Sequence, residues 1–110
     1  MAGWFELKKN KNGQFHFVLK AGNSETILSS ESYKTKTSAL KGIASIQKNC
    51  GRDGSFEKKV AANGKHTFNL KAANHRIIGS SQMYSSPKSR ENGIASVKLN
   101  GKSKTVKDIT

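Results

Sequence analysis

Apolar and polar positions alternate near the N-terminus after the dipeptide Asn12-Gly13. Phe15, Phe17 and Leu19 fall at every second position, which is the period of a β-strand with one buried face. Asn-Gly is typical of the turn between two antiparallel strands, because both residues accept positive φ in a type I′ turn. The pattern predicts a hairpin with the three apolar side chains inward and the intervening residues on a wetter face.

A second turn and a change of period follow the hairpin. Ala21–Ser24 has the small and polar residues of a turn and leads into a short strand at Thr26–Ser29. Thr35 is suited to cap a helix, because its hydroxyl accepts a backbone N–H of the first turn. Ala39 and Ile43 then begin an i, i+4, i+7 apolar stripe. Three strands and one helix are therefore predicted.

This order of elements occurs twice in the chain. At an offset of 51 residues, 5–49 aligns with 56–100 without a gap, and 20 of the 45 positions are identical, where chance gives about three. Ser86 stands where the first copy has its helix cap. Each predicted helix also contains a glycine, Gly42 or Gly93, at a cost of about 1 kcal/mol relative to Ala. Its recurrence indicates close packing at that point, and local flexibility is the alternative.

The fold class expected is α+β, with two tandem βββα repeats that share one antiparallel sheet and two helices about a pseudo-two-fold axis. A unit of 45 residues buries too little surface to be stable alone, so the repeats at about 4–50 and 55–101 are expected to form a single domain, 1–110. The protein would then be a monomer with an internal pseudo-dimer. For the tail at 102–110, a short edge strand and a disordered end remain alternatives.

Composition adds a strong positive charge to this picture. Twenty Lys and Arg against seven Asp and Glu give +13 over 110 residues, and both halves contribute, with +5 through Cys50 and +8 beyond it. The start lacks the pattern of a signal peptide, and no apolar run approaches a membrane span. The lone Cys50 cannot close an intrachain disulfide. A cytoplasmic protein without membrane association is expected.

Four segments resemble a known family: Gly3–Glu6, Asn12–Phe15, Phe68–His75 and Asn92–Lys98. With their duplication, they are similar to the YegP-like family of small bacterial proteins, in its tandem-repeat form, over nearly the whole chain. The resemblance implies one sheet with exchange of terminal strands, and it favours a strand at Lys104–Ile109. The family supplies no activity, so no catalytic residue is carried over.

A polar set that recurs in both repeats is the candidate binding site. Its members are expected at strand ends and turns, where binding groups are often displayed. The alternative is structural: the asparagines shape turns, the serines bond to backbone, and the tyrosines bury a ring with one hydrogen bond. The set comprises Lys20, Asn23, Ser29, Ser30, Tyr33, Lys71, Asn74, Ser80, Ser81 and Tyr84.

Enzymatic chemistry has little support in the sequence. No acid or histidine recurs beside the repeated serines, which argues against a Ser-His-Asp arrangement. His16, His66 and His75 lack metal-ligand spacing, and the single cysteine adds nothing to them. We therefore expect a protein without catalytic residues, metal or cofactor.

Two binding functions remain. The first is weak, sequence-tolerant binding of nucleic acid or another polyanion through a lysine-rich surface, since 17 of the 20 basic residues are Lys and specific base recognition favours Arg. The charge is equally consistent with a solvated surface that serves solubility. The second is a structural or stress-associated accessory role, with a protein partner held through a sheet edge or the two-fold face.

Overall fold

A computed structural model describes residues 3–110 of the chain. The described part contains seven strands and two α-helices, and a single 3-10 turn at Asp53–Ser55 joins the two repeats. The elements are β1 (Trp4–Lys9), β2 (Phe15–Lys20), β3 (Thr26–Ser29), α1 (Lys36–Asn49), β4 (Phe56–Val60), β5 (His66–Lys71), β6 (Ile77–Ser80), α2 (Pro87–Asn100) and β7 (Val106–Asp108).

The strands of the described chain form one seven-stranded sheet. Its order is β4-β5-β6-β3-β2-β1-β7, so the repeats meet at the centre, where β3 and β6 run antiparallel and Ser29 faces Ser80. The order reads the same from both sides of this pair except for β7, which indicates a pseudo-two-fold axis normal to the sheet. The α+β fold of two repeats sharing one sheet is confirmed. The sheet is not wholly antiparallel, because β1 and β7 are parallel.

The predicted hairpin forms, but its turn type differs from the expectation. Gly13 has a φ of +84°, whereas Asn12 is not among the residues with positive φ, so the turn is not type I′. The Gly13 N–H donates to the carbonyl of Asn10, and the Asn10 N–H donates to that of Gln14. This is the three-residue loop with a glycine bulge, which also uses Asn-Gly.

Val18 lies on the side of β2 that the sequence predicts to face water, but it is only 7% exposed. Strand alternation does turn it away from Phe17 and Leu19. Its cross-strand neighbours are Glu6 and Ser29, and flanking strands on both sides leave little of the valine open to water.

Both helices pack on one face of the sheet, over a single core. Thr35 and Ser86 cap them as predicted, each hydroxyl accepting the N–H three residues later at 3.1 Å. Ile46 and Val97 are fully buried against the inward side chains of both repeats. Because the two-fold axis is normal to the sheet, the opposite face carries no helix.

The helix glycines prove to be sites of close packing. A Cβ atom at Gly42 would meet the Tyr33 hydroxyl at 2.5 Å, and one at Gly93 would overlap the Tyr84 hydroxyl. Each tyrosine ring also stacks on an inward phenylalanine of its own repeat, Tyr33 on Phe17 with centroids 6.1 Å apart. The glycine thus lets each helix lie directly on a tyrosine.

The chain ends with a strand contributed by the second repeat to the first. β7 follows α2 but pairs with β1, and the Phe5 N–H donates to the carbonyl of Thr105 at 3.0 Å. Lys36 of α1 forms an ion pair with Asp108. Terminal-strand exchange therefore occurs in one direction, from repeat two to repeat one.

Candidate functional site

Part of the predicted polar set lies on the helix-free side of the sheet. Lys20, Ser29, Lys71 and Ser80 occupy positions that alternate with inward core residues, so they point away from the helices. We call this side the open face. It comprises Trp4, Glu6, Lys8, His16, Val18, Lys20, Ser29, Glu57, Lys59, Thr67, Asn69, Lys71, Ser80 and Lys107.

Glu57 organises the lysines on one half of the open face. Its carboxylate accepts a hydrogen bond from Lys71 Nζ at 2.7 Å, and Lys59 Nζ lies 3.4 Å away. Asn69 donates a longer bond of 3.4 Å. These donors, Lys71 first, lower the pKa of Glu57 to about 2. Glu57 of β4 thus forms a cross-strand ion pair with Lys71 of β5, and the carboxylate is ionised at neutral pH.

Glu6 is the two-fold counterpart of Glu57, with a different set of partners. The Trp4 indole N–H donates to it at 2.8 Å, and Lys8 Nζ lies at 3.8 Å. The indole hydrogen bond is the main cause that lowers its pKa, and Lys20 adds to the effect. Lys107 Nζ lies 4.2 Å from the centroid of the Trp4 ring. The indole is therefore engaged at both its N–H and its ring.

The open face retains an excess of positive charge after these pairings. It carries five lysines and two glutamates. Among residues 3–110, neither Lys20 nor Lys107 has an ion pair within 4 Å. These two ammonium groups are therefore available to an anionic ligand.

Ser30 and Ser81 have roles in the backbone of the sheet. The Ser30 hydroxyl accepts the Phe17 N–H at 2.9 Å and donates to the carbonyl of Glu31 at 2.8 Å. Ser81 makes the equivalent bonds to Phe68 and Gln82 at the same distances. The oxygen and the proton of each serine hydroxyl are thus engaged in hydrogen bonds to the backbone. This agrees with the structural interpretation of these serines.

The tyrosines and asparagines of the set meet across the two-fold axis. Tyr33 lines a cleft of about 470 Å³ with Asn74, and Tyr84 lines a cleft of about 190 Å³ with Asn23. Each asparagine also shapes its turn: Asn23 Oδ1 accepts the Glu25 N–H at 3.1 Å. We call these the Tyr33 cleft and the Tyr84 cleft.

The two clefts have equivalent walls and different charges. Each lies between a turn of one repeat and the helix of the other. The Tyr33 cleft contains Lys34, Lys41 and Arg76 with Glu31, whereas Glu25 is the one charged side chain lining the Tyr84 cleft. Burial, with the nearby Glu31, raises the pKa of Tyr33, so its hydroxyl stays protonated.

Sequence reasoning missed two pairs of serines in these clefts. Ser38 and Ser45 line the Tyr33 cleft, and Ser89 and Ser96 line the Tyr84 cleft. The signal was present, because all four recur at the 51-residue offset. Their helical spacing on the side of Gly42 and Gly93 would have placed them beside the tyrosines.

Other reactive groups are enclosed or dispersed. Cys50 is fully buried, and burial raises the pKa of its thiol. Within residues 3–110, no group of three or more His, Cys, Asp and Glu side chains could hold a metal ion. Neither helix of this part of the chain is long and apolar enough to cross a membrane.

Comparison with known proteins identifies the family. The profile described as "Domain of unknown function (DUF1508)" matches twice in tandem, at residues 10–57 and 61–108. The chain belongs to the DUF1508 family. Among proteins that carry the YegP name, "UPF0339 protein YegP" of Escherichia coli (strain K12) is 67% identical over 110 residues, with 100% of both chains covered. The resemblance to the YegP-like family is therefore confirmed.

Two solved structures of similar proteins have this architecture. The solution NMR structure of yegP from E. coli, described as a protein of unknown function, matches with a TM-score of 0.95 at 67% identity, covering 100% of this chain and 95% of that one. The UPF0339 protein from Shewanella oneidensis matches with a TM-score of 0.94 at 58% identity, covering 100% and 93%.

Proposed function

We propose that the protein is a non-catalytic binding module that binds a polyanion on the open face. Nucleic acid is the first polyanion to test. The observation that carries the proposal is the excess of lysine on a sheet face that no helix covers. Phosphate binding by such a surface is driven by counterion release and requires no defined pocket.

The residues of the open face favour sequence-tolerant binding. Its cations are all lysines, which act as point charges and lack the planar fork with which Arg recognises a base edge. Trp4 is engaged by Glu6 and Lys107, so a base has little access to its ring. We therefore expect contacts to phosphate rather than stacking.

The absence of catalysis is part of the proposal and rests on the state of the candidate groups. Ser30 and Ser81 are bonded to backbone atoms, and the Cys50 thiol is buried with a raised pKa. The Tyr33 hydroxyl lies against the α1 backbone at Gly42. None of these groups has the activated form that nucleophilic chemistry requires.

The test is a salt titration of binding with two matched triple variants. A labelled 20-nucleotide single strand and the corresponding duplex are titrated from 20 to 200 mM salt. Lys20→Ala/Lys71→Ala/Lys107→Ala removes three cations from the open face. The helix variant, Lys48→Ala/Lys88→Ala/Lys102→Ala, removes three exposed cations from the helices and the loop that follows α2.

We expect the open-face variant to reduce the slope of log K against log salt by about 0.7 to 0.9 for each phosphate that the protein no longer neutralises. The helix variant should leave the slope almost unchanged. Absence of binding by the wild-type protein at 20 mM salt would contradict the proposal. Equal reductions in the two variants would contradict its assignment to the open face.

A second candidate, a partner protein held through a sheet edge, is favoured by a separate observation. In the described chain, β4 has β5 on one side and no strand on the other. The partner would then use a surface distinct from the open face.

A further inference from the structure

The two repeats differ in what lies beyond their first strands. In repeat one, β7 pairs with β1 in the register Phe5↔Val106 and Leu7↔Asp108. The equivalent strand of repeat two is β4, where Phe56 and Lys58 stand in place of Phe5 and Leu7. No strand of residues 3–110 lies on that side of β4. One of two equivalent strand positions is therefore filled and the other is free.

A cleft marks the free position. We call it the edge slot; it has a volume of about 370 Å³ and is lined by Asp53, Phe56, Lys58, Glu91, Ile94 and Lys98. In repeat one, the β7 segment lies beside the corresponding part of α1, since Gln47 donates to the carbonyl of Ser103 at 2.8 Å. Gln47 corresponds to Lys98. The edge slot thus occupies the position beside β4 and α2 that β7 occupies beside β1 and α1.

We propose that β4 accepts an extended segment of another protein as a parallel strand, in the way that β1 accepts β7. The segment would carry an apolar residue and, two positions later, a carboxylate. The proposal deepens the second candidate function, partner binding at the β4 edge, and it is independent of polyanion binding because it uses the sheet edge and not the open face. Main-chain hydrogen bonds would hold the segment, and its alternate side chains would supply specificity.

The register of β7 supplies the sequence preference. Val106 lies opposite Phe5 and packs against the core. An apolar residue opposite Phe56 would cover the half-buried phenylalanine ring in the same way. Two positions later, the incoming side chain lies opposite Lys58, whose ammonium already holds Glu91 at 2.8 Å. A carboxylate there would share the cation, much as Asp108 pairs with Lys36 in repeat one.

Charge excludes a second copy of this chain as the favoured occupant. Pairing of β4 with β4 of another molecule would bring two Lys58 and Lys59 pairs together, and each chain carries +13. Edge lysines are a common device against such pairing. The surplus of positive charge over the whole chain favours an acidic segment over a basic one, so charge complementarity selects a partner of opposite sign.

The probe is a labelled peptide, acetyl-Glu-Thr-Val-Glu-Asp-Ile-Thr-amide, which copies the alternation of β7 with acidic substitutions. It is titrated into ¹⁵N-labelled full-length protein at 150 mM salt. A scrambled peptide of the same composition measures attraction by charge alone. Lys58→Pro removes the outward N–H from an edge position where proline is tolerated, and Lys58→Ala retains that N–H.

We expect amide shifts confined to β4 and α2, at least about fivefold weaker binding of the scrambled peptide, and about tenfold weaker binding by Lys58→Pro than by Lys58→Ala. Lys58→Glu keeps the backbone donor and should prefer a peptide with Lys in place of Asp. This charge exchange tests the register even if the proline variant unfolds. Equal binding of both peptides, shifts on the open face, self-association through β4 or no binding would each overturn the proposal. Failure here leaves the nucleic-acid titration unaffected.

Discussion

β1 and β4 are equivalent strands of two similar repeats, but they have different surroundings. Phe5 and Leu7 of β1 are fully buried. At the same positions of β4, Phe56 is half-buried and Lys58 is exposed. β7 covers one strand and not the other, and the change from Leu to Lys follows from that difference. The difference in sequence between β1 and β4 thus corresponds to the absence of a neighbouring strand on the outer side of β4.

The helices show the same effect. Ala39 of α1 is fully buried, while its counterpart in α2 is Arg90. The Arg90 guanidinium donates to the carbonyl of Lys59 in β4 at 3.2 Å. Leu40 is likewise replaced by Glu91, which holds Lys58. Long polar side chains next to the bare edge therefore take positions that small or apolar residues have in repeat one.

Exchanging the residue types at positions 7 and 58 should give the largest difference in stability between the two repeats. Leu7→Lys places an ammonium group under β7 and against the core, and we expect a loss of about 3–5 kcal/mol or failure to fold. Lys58→Leu should change stability by less than about 0.5 kcal/mol, as is usual at exposed positions. Urea unfolding of both variants measures the difference. Similar effects at the two sites would contradict the role assigned to β7.

The helix glycines should respond alike in both repeats. Gly42→Ala and Gly93→Ala each bring a methyl group against a tyrosine hydroxyl. Overpacking of this kind costs about 1–3 kcal/mol, and the higher helix propensity of Ala returns about 1 kcal/mol of it, so we expect a net loss of up to about 2 kcal/mol. Thermal unfolding of both variants, with Tyr33→Phe and Tyr84→Phe as partial rescues of the matching alanines, provides the check. A loss in one repeat alone would show that the tyrosine contacts are not equivalent.

Two buried asparagines at equivalent positions of the repeats differ by one hydrogen bond. Asn100 Oδ1 accepts the Gly3 N–H at 2.8 Å, whereas Asn49 Oδ1 is buried and has no partner in residues 3–110. Each amide also donates to a helix carbonyl at 2.8 Å. Because Asn100→Ala removes one more buried hydrogen bond, it should cost about 1 kcal/mol more than Asn49→Ala in chemical denaturation. The reverse order would be inconsistent with this difference.

Asp108 should make the attachment of β7 sensitive to acid. Hydrogen bonds from Lys36 and then Thr110 lower its pKa to about 2, from an ordinary value of 3.8. A lowered pKa stabilises the folded state above the unfolded value, and that contribution is lost as pH falls from about 4 towards 2. The melting temperature of Asp108→Asn should therefore depend less on pH over this interval. A profile parallel to that of the wild type would contradict the assignment.

Local patterns in the sequence were sufficient for much of this fold. The duplication, both helix caps and the shared sheet follow from offset, spacing and the small size of each repeat. The turn type did not, because Asn12-Gly13 suits both a type I′ turn and a loop with a glycine bulge. The clefts were missed because each joins residues of different repeats, such as Tyr33 and Asn74, which only the two-fold arrangement brings together.

Amide hydrogen exchange at Leu7 and Lys58 tests most directly whether one edge is closed and the other open. In dilute full-length protein, we predict that the Leu7 amide is protected and the Lys58 amide exchanges rapidly. In a variant that lacks residues 105–110, the Leu7 amide should lose its protection while Lys58 is unchanged. Equal protection of the two amides in the full-length protein, or protection of Leu7 without β7, would contradict the account.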